Sequence, residues 1–124
     1  MRVFKTRAFG RFARKERVGD PALCDAVGRA ENGLIDADLG GHVIKQRVAR
    51  PGQGRSGGYR TLIAYRSQTR AIFTFGFAKN DQDNVSNEEL AELRKAASIL
   101  LGYTDEDVTE LVDGGKWTEV KCDD

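Results

Sequence analysis

Positively charged side chains are concentrated where the sequence predicts three consecutive β-strands. Lys45 and Arg47 stand two residues apart in the first strand, so both point to the same face. Arg60 begins the second strand and Lys79 closes the third. Because consecutive strands of an antiparallel meander pair side by side, we expect these cations to converge. Arginine offers a planar pair of donors and lysine a compact charge, so the cluster predicts a phosphate-binding site.

Charge is distributed very unevenly along the chain, although the net value is only +1. Residues 1–80 carry 16 Lys and Arg against 6 Asp and Glu, a net of +10, whereas residues 81–124 carry 4 against 13, a net of −9. No acidic residue occurs from Leu39 to Ala78. This segregation predicts one face made for a polyanion such as a nucleic acid, and another face that is acidic and solvated.

A glycine-rich segment, residues 50–58, joins the first two predicted strands. Its glycines would let the backbone approach a phosphate closely, although a long hairpin loop also needs flexible residues. Arg50 and Arg55 lie within this segment, and Tyr59 follows it directly. We therefore expect Arg50, Arg55 and Tyr59 to contact a nucleic-acid ligand.

Length and composition limit the class of protein. The 124 residues suffice for one hydrophobic core, so we expect a single domain over residues 1–124. No apolar run approaches the roughly 18 residues that span a bilayer. The N-terminal residues lack the apolar stretch of a signal peptide, so we expect a cytoplasmic protein with no membrane partner.

Metal and cofactor chemistry find little support in the sequence. The chain has two cysteines, Cys24 and Cys122, and one histidine, His42, which together do not form a metal-ligand cluster. We expect both cysteines to be small side chains without a function, and we expect neither a metal nor a small-molecule cofactor. His42 stands at a strand edge and is a minor candidate for acid–base catalysis.

Hydrophobic periodicity and turn residues predict the element order β-α-α-β-β-β-α-α-β. The predicted strands are Val3–Thr6, Val43–Val48, Tyr59–Arg66, Ala71–Phe77 and Lys116–Lys121. Residues 36–41 are predicted to form a loop. Phe73, Phe75 and Phe77 alternate along one strand, and we assign them, with Trp117, to the core.

The predicted helices are marked by their first residues. The first helix follows the first strand as a basic amphipathic segment, and the second has Asp20 as N-cap with Pro21 in the first helical position. Capping boxes at Ser86-Asn-Glu-Glu89 and at Thr104 with Asp107 start the last two. Helices packed on an antiparallel sheet make an α+β fold, whose other face we expect to be free for a ligand.

Two segments of the chain resemble the RelE-type toxins of the HigB branch. One is the run from Gly40 to Tyr65, in which the Ser56-Gly-Gly-Tyr-Arg60 turn is the most distinctive piece. The other is the run from Phe75 to Asn84, which contains the Phe77-Ala-Lys-Asn80 element. The first strand and helices and the acidic C-terminal helices also fall where that family has them, so the similarity covers nearly the whole chain.

The resemblance implies the RelE/ParE fold and ribosome-assisted cleavage of mRNA in the A site. It also implies a cognate protein antitoxin that holds the toxin inactive. The family's basic residues correspond to Lys45, Arg47 and Arg60, with Lys79 as a fourth. Since the segment around them has no carboxylate, we expect an antitoxin whose binding segment is acidic and amphipathic. The alternative is an antitoxin that docks on the acidic C-terminal helices.

The chain departs from the family at one position. RelE has a tyrosine after its last basic element, whereas this chain has no tyrosine between Tyr65 and Tyr103. Asn80, Asp81 or Asn84 would have to occupy that region. Asn80 and Asn84 are therefore candidate RNA contacts.

An RNA strand can be cut by its own 2′-hydroxyl, which attacks the adjacent phosphate. The protein then supplies only a proton acceptor, a proton donor and charge stabilisation. The positive charges of Arg47 and Arg60 favour the uncharged amine of Lys45, which is the candidate general base. Arg60 would stabilise the pentavalent phosphorane and Arg47 would orient the phosphate. Lys79 is the candidate proton donor to the 5′-oxygen.

Two other interpretations stay open. ParE-like proteins resemble this group but inhibit DNA gyrase without catalysis, and a fold alone does not separate the two functions. An inactive nucleic-acid-binding relative would fit the missing tyrosine. The clustering of Lys45, Arg47 and Arg60 favours RNA cleavage, whereas a gyrase inhibitor predicts that these residues can be replaced without loss of toxicity.

Overall fold

The computed structural model describes residues 1–50, 52, 54–78 and 85–122, with the backbone alone for residues 54–57. The helices of this part of the chain are α1 (Arg7–Glu16), α2 (Asp20–Glu31), α3 (Asn87–Gly102) and α4 (Asp105–Asp113). Its strands are β1 (Arg2–Thr6), β2 (Ala37–Asp38), β3 (Val43–Arg50), β4 (Gly54–Arg66), β5 (Arg70–Ala78) and β6 (Trp117–Val120). None of these helices combines the length and the apolar character that a membrane span requires.

The strands form one sheet in the order β2-β3-β4-β5-β1-β6. β1 pairs with β5 in parallel, and the other neighbours pair antiparallel. The predicted α+β fold and the meander β3-β4-β5 are therefore confirmed. The predicted loop at residues 36–41 is wrong in one respect, because Ala37 and Asp38 pair with Lys45 and Ile44 and form the edge strand β2.

The glycine-rich segment is mostly strand rather than open loop. β4 begins at Gly54, which lies opposite Arg50 of β3, so only residues 51–53 separate the two strands. The backbone of residues 54–58 therefore belongs to a hairpin. An open phosphate-binding loop over residues 50–58, as the glycines predicted, is not what this backbone forms.

The helix starts follow the capping residues closely. Ser86 and Thr104 each cap their helix through a complete capping box, as predicted. α2 differs by one position, because Gly19 is its N-cap and Asp20 lies in the first turn. The Asp20 carboxylate instead accepts a hydrogen bond from Lys5 Nζ at 3.3 Å. The ion pair therefore replaces the predicted cap.

Helices cover both faces of the sheet. α1 and α2 pack on one face, around residues such as Leu23 and Phe73. α3 and α4 pack on the other face, around Phe4, Ile72 and Trp117. The assignment of Trp117 to the core is confirmed, whereas the expectation of a wholly free second face is wrong. Apolar residues at one end of that face have to be buried, and the acidic helices bury them.

Arg70 attaches the C-terminal helices to the sheet. It is buried in β5, and its guanidinium donates hydrogen bonds to the carbonyl oxygens of Leu100 at 3.1 Å and Tyr103 at 2.9 Å. These carbonyls lie at the C-terminal end of α3, where a helix leaves its last carbonyls without intrahelical partners. The positive charge also faces the negative end of the helix dipole.

The phenylalanines of β5 do not share one face. A register shift between Leu62 and Ile63 places Phe73 opposite Ile63 and Phe75 opposite Leu62. Leu62 and Ile63 are consecutive residues of β4 and therefore point to opposite faces. Phe73 accordingly joins the core under α1 and α2, whereas Phe75 and Phe77 point to the other face. Phe77 is buried there, but Phe75 is 51% exposed, so its assignment to the core is wrong.

Cys24 and Cys122 form a disulfide between Cα atoms 5.6 Å apart, across a sequence separation of 98 residues. The bond joins α2 to the segment that follows β6. The expectation that both cysteines lack a function is therefore wrong. The pair cross-links two elements from opposite ends of the chain.

Candidate nucleic-acid interface

Lys45, Arg47 and Arg60 form a basic patch on the second face of the sheet. Arg47 of β3 lies directly opposite Arg60 of β4, and Lys45 lies opposite Leu62. Directly paired residues have Cβ atoms only about 4.5–5.5 Å apart, so the two arginine side chains leave the sheet side by side. Val43 shares this face and packs in the cluster under α3 and α4. The basic patch therefore begins where the helical cover ends.

The basic patch is accessible and has an aromatic neighbour. The Arg47 side chain is 45% exposed, and Lys45 and Arg60 are partly exposed. Phe75, which is half exposed, lies opposite Leu62 and so beside the patch on the same face. A ring next to guanidinium groups suits a single-stranded nucleotide, since the base can stack while the phosphate meets the cations.

Arg60 has an unsatisfied donor. Its Nη1 atom is buried and has no hydrogen-bond partner among the described residues. A buried donor without a partner is costly, and more so when the group is charged. An anion bound between Arg47 and Arg60 would supply the missing acceptor.

Asp36 holds Arg47 in place. Its Oδ2 accepts the backbone N–H of Arg47 at 2.6 Å, and its Oδ1 accepts the guanidinium Nη2 at 3.2 Å. Arg29 of α2 lies 3.6 Å from the same carboxylate and donates to the carbonyl of Arg47. Burial raises the pKa of Asp36, but the hydrogen bonds and charges of Arg47 and Arg29 outweigh it, so its pKa lies below the ordinary value. Ionised Asp36 thus orients the Arg47 side chain.

Sequence reasoning missed Asp36 because it treated residues 36–41 as a loop. The available signal was the position of Asp36, three residues before the segment from Leu39 to Ala78 that contains no acidic residue. Its partner, Arg47, is eleven residues away, across the β2–β3 turn, and only the pairing of those strands brings the two together.

Gln46 fixes β3 from the opposite face. Its buried amide donates to the carbonyls of Ala26 at 2.9 Å and Leu34 at 3.2 Å, and its Oε1 accepts the backbone N–H of Asp36 at 2.7 Å. The hydroxyl of Thr61 donates to the Gln46 carbonyl at 2.8 Å. These bonds hold β3 between α2 and β4, and therefore set the direction of the basic patch.

Tyr59 and Arg50 are not part of the basic patch. The Tyr59 ring is buried on the opposite face, where it packs edge-on against Phe12, and its hydroxyl donates to Glu16 Oε1 at 2.9 Å. The guanidinium of Arg50 lies 5.3 Å from the centroid of the Tyr59 ring. Alternation along β4 turns the Tyr59 ring into the core, so this arrangement gives no support to the predicted contact with a base, which stays a prediction.

His42 is also remote from the basic patch. It is exposed in the turn before β3, with φ at 64°, and lies three residues, or about 10 Å, from Lys45 and five residues, or about 16 Å, from Arg47 along the strand. The described residues include no group of three or more His, Cys, Asp or Glu side chains that could hold a metal ion. Outside the described residues lie Lys79, Asn80, Asp81, Asn84 and the side chain of Arg55. Their predicted roles stay predictions.

Comparison with known families identifies the chain. The family model described as the RelE toxin of the RelE/RelB toxin-antitoxin system matches residues 1–120. That range contains every described helix and strand as well as the basic patch. No curated protein and no solved structure matches the chain. The predicted resemblance to RelE-type toxins is confirmed over nearly the full length, and the chain belongs to the RelE family of toxins of toxin-antitoxin systems.

Proposed function

We propose that this toxin is an mRNA interferase of the HigB type, an endoribonuclease that cuts mRNA in the ribosomal A site. Residues 1–124 act as a single domain, in the cytoplasm where ribosomes and mRNA are found. Membership of the RelE family supports the role of toxin. The observation that carries the nuclease activity is the pair of adjacent guanidinium groups in the basic patch, one of which has a buried donor without a partner among the described residues.

The substrate supplies its own nucleophile. The 2′-hydroxyl oxygen attacks the adjacent phosphorus, the bond from phosphorus to the 5′-oxygen breaks, and the products are a 2′,3′-cyclic phosphate and a 5′-hydroxyl end. The Lys45 amine accepts the proton of the 2′-hydroxyl. Arg47 and Arg60 donate to the phosphoryl oxygens as negative charge builds up in the phosphorane. Lys79 gives a proton to the leaving 5′-oxygen.

Phe75 takes the place of the family's tyrosine as a stacking surface. Its exposed ring lies on the face and at the level of the basic patch. Stacking of a base on an aromatic ring contributes about 1–3 kcal/mol of binding and does not depend strongly on the base. A phenyl ring has no proton to transfer, so in this chain stacking and acid–base catalysis are carried by different residues.

Ribosome dependence follows from what the basic patch provides. Its described residues offer charge stabilisation and a lysine base, and the nearby carboxylate of Asp36 is engaged by Arg47. A site of this kind cuts slowly unless the RNA is held with the 2′-oxygen in line with the leaving group. Positioning of a bound substrate contributes as much as about 7–11 kcal/mol to lowering a barrier. The ribosome supplies that positioning.

Cleavage by the purified protein tests this function. We expect an mRNA held in the A site of programmed ribosomes to be cut at least about a hundredfold faster than the same mRNA free in solution. Primer extension locates the cut, and end analysis should find a 2′,3′-cyclic phosphate. Equal rates with and without ribosomes would refute the ribosome dependence. Absence of cleavage in both would refute the nuclease.

The antitoxin is expected to approach through the basic strands. Charge complementarity accelerates association, and the effect weakens as salt rises. Arg50→Glu with Arg55→Glu should therefore slow association with the purified cognate antitoxin at low salt, measured by stopped-flow fluorescence. Lys95→Glu on α3 is the control and should leave the rate unchanged. The reverse pattern would show that the antitoxin docks on the C-terminal helices.

A further inference from the structure

α1 carries a stripe of exposed positive charge, called here the α1 stripe. It consists of Arg7, Arg11, Arg14 and Lys15, whose spacing of four, three and one residues places them on one side of a helix. All four are exposed, and none forms an ion pair with a described residue. The opposite side of α1 is buried against the sheet.

The first half of the α1 stripe is unfavourable for the helix itself. Arg7 occupies the first helical position, where the positive end of the helix dipole disfavours a cation, and the first turn contains no acidic residue. Arg7 and Arg11 are like charges at i and i+4, which also destabilise a helix slightly. Arg14 and Lys15 lie in the last turn, where the helix dipole favours a cation. Helix stability therefore explains the second half of the α1 stripe but not Arg7 and Arg11, whereas an external polyanion would account for all four.

The positive surface continues to the hairpin that bears the basic patch. Lys15 and Arg17 of the α1 end line a cavity of about 310 Å³ together with Arg50, Glu16 and Tyr59. The carboxylate of Glu16 is engaged by the Tyr59 hydroxyl. Tyr59 precedes Arg60 in β4, so this cavity and the basic patch lie at the same end of the sheet, on opposite faces.

The shape of this surface selects the partner. Arg7 and Arg17 are ten residues apart, about 15 Å along the helix, which is too long for a single phosphate. None of the large apolar side chains exposed in the described part of the chain lies on α1. A protein partner needs apolar anchors, whereas a nucleic-acid backbone needs only an array of cations.

We infer that the α1 stripe is a second RNA-contact surface, which binds the phosphate backbone of a folded RNA beside the strand that occupies the basic patch. The inference rests on the proposed function in taking RNA as the polyanion. It gives ribosome dependence a physical basis, because folded RNA surrounds an mRNA in the ribosome. In this arrangement the α1 stripe binds the folded RNA, and cleavage of the mRNA takes place at the basic patch on the opposite face of the sheet.

Binding of a non-cleavable RNA hairpin tests the inference. The probe is a fluorescent hairpin with 2′-O-methyl groups throughout, which removes the nucleophile. We expect Arg7→Gln with Arg11→Gln and Arg14→Gln to weaken binding by on the order of tenfold to a hundredfold at about 0.1 M salt, and to reduce the slope of log K against log salt by about 2 to 3. Glutamine keeps the helix, because its helix propensity is close to that of arginine.

A charge-matched variant controls for net charge. Lys95→Gln with Lys116→Gln and Lys121→Gln removes as many positive charges from exposed positions outside α1, and should bind nearly as the unmodified protein does. Equal weakening of binding in the two variants would overturn the inference. So would a triple-arginine variant that loses binding to poly-glutamate but keeps the hairpin, since that result would assign α1 to an acidic protein. Thermal unfolding of both variants checks the fold.

The outcomes separate this inference from the proposed function. An inactive protein that still binds the hairpin through α1 would refute the nuclease alone. An active nuclease whose triple-arginine variant binds the hairpin normally would refute the second surface alone. If the triple-arginine variant unfolds, the three single substitutions replace it, and each should reduce the salt slope by about 0.7 to 0.9.

Discussion

Replacing Arg60 by methionine is expected to abolish growth arrest and to leave the fold intact. Arg60→Met removes one of the two guanidinium groups to which we assign the attacked phosphate, and loss of one preorganised donor typically lowers a rate by about 10² to 10³. The Nη1 atom has no hydrogen-bond partner to lose in the described part of the chain. Because a partly buried charge that has no ion-pair partner there is itself unfavourable, we expect the free energy of unfolding to stay within about 1 kcal/mol of the starting value.

Arg66 offers the matched control for this substitution. It lies in the same strand, six residues on and therefore on the same face, and its guanidinium donates to the carbonyl of Leu101 at 3.4 Å. Arg66→Met should retain growth arrest. Urea titration of both variants reports the fold. If Arg60→Met fails to fold, Lys45→Ala with Arg47→Ala replaces it. Full toxicity of folded Arg60→Met, or of folded Lys45→Ala with Arg47→Ala, would contradict the assignment of the basic patch.

Removal of the disulfide is expected to destabilise the oxidised protein strongly. Cys24 and Cys122 are separated by 98 residues, so the bond restricts almost the whole unfolded chain. For a loop of this length the chain-entropy account gives about 4.7 kcal/mol, and removal of native disulfides from small proteins costs about 2–5 kcal/mol. Cys24→Ser with Cys122→Ser should therefore lower the free energy of unfolding by about 3–5 kcal/mol, measured by urea denaturation.

Reduction provides the control for this experiment. A thiol reductant should lower the urea midpoint of the unmodified protein to that of the double-serine variant, and should leave the variant itself unchanged. If reductant has no effect on the unmodified protein, the two cysteines are not paired in solution. Disulfides are uncommon in reducing compartments, so the stability measured with reductant is the one that would apply there.

Local signals in the sequence were sufficient for much of the fold. The capping boxes at Ser86 and Thr104 and the meander β3-β4-β5 depend on residues that are near one another in the chain, and they were predicted correctly. Alternation alone placed Lys45 and Arg47 on one face. The pairing of Arg47 with Arg60 then followed from joining two strands by a hairpin.

The features that sequence reasoning missed depend on register or on distant contacts. The irregularity after Leu62 reverses the alternation of β5, and no residue type marks it, so Phe75 was assigned to the core. The pairing of Cys24 with Cys122 depends on where the end of β6 meets α2. The coverage of the second face depends on Arg70, whose contacts with α3 cross 30 residues of chain. None of these contacts leaves a periodic pattern.

Mapping of mRNA 5′ ends after induction is the most direct test of the central claim, that this RelE-family toxin cuts translated mRNA through its basic patch. The account predicts new 5′ ends inside translated reading frames within minutes of induction of the unmodified protein, none with Arg60→Met, and unchanged supercoiling by DNA gyrase. Intact mRNA in arrested cells, with or without loss of gyrase activity, would contradict it.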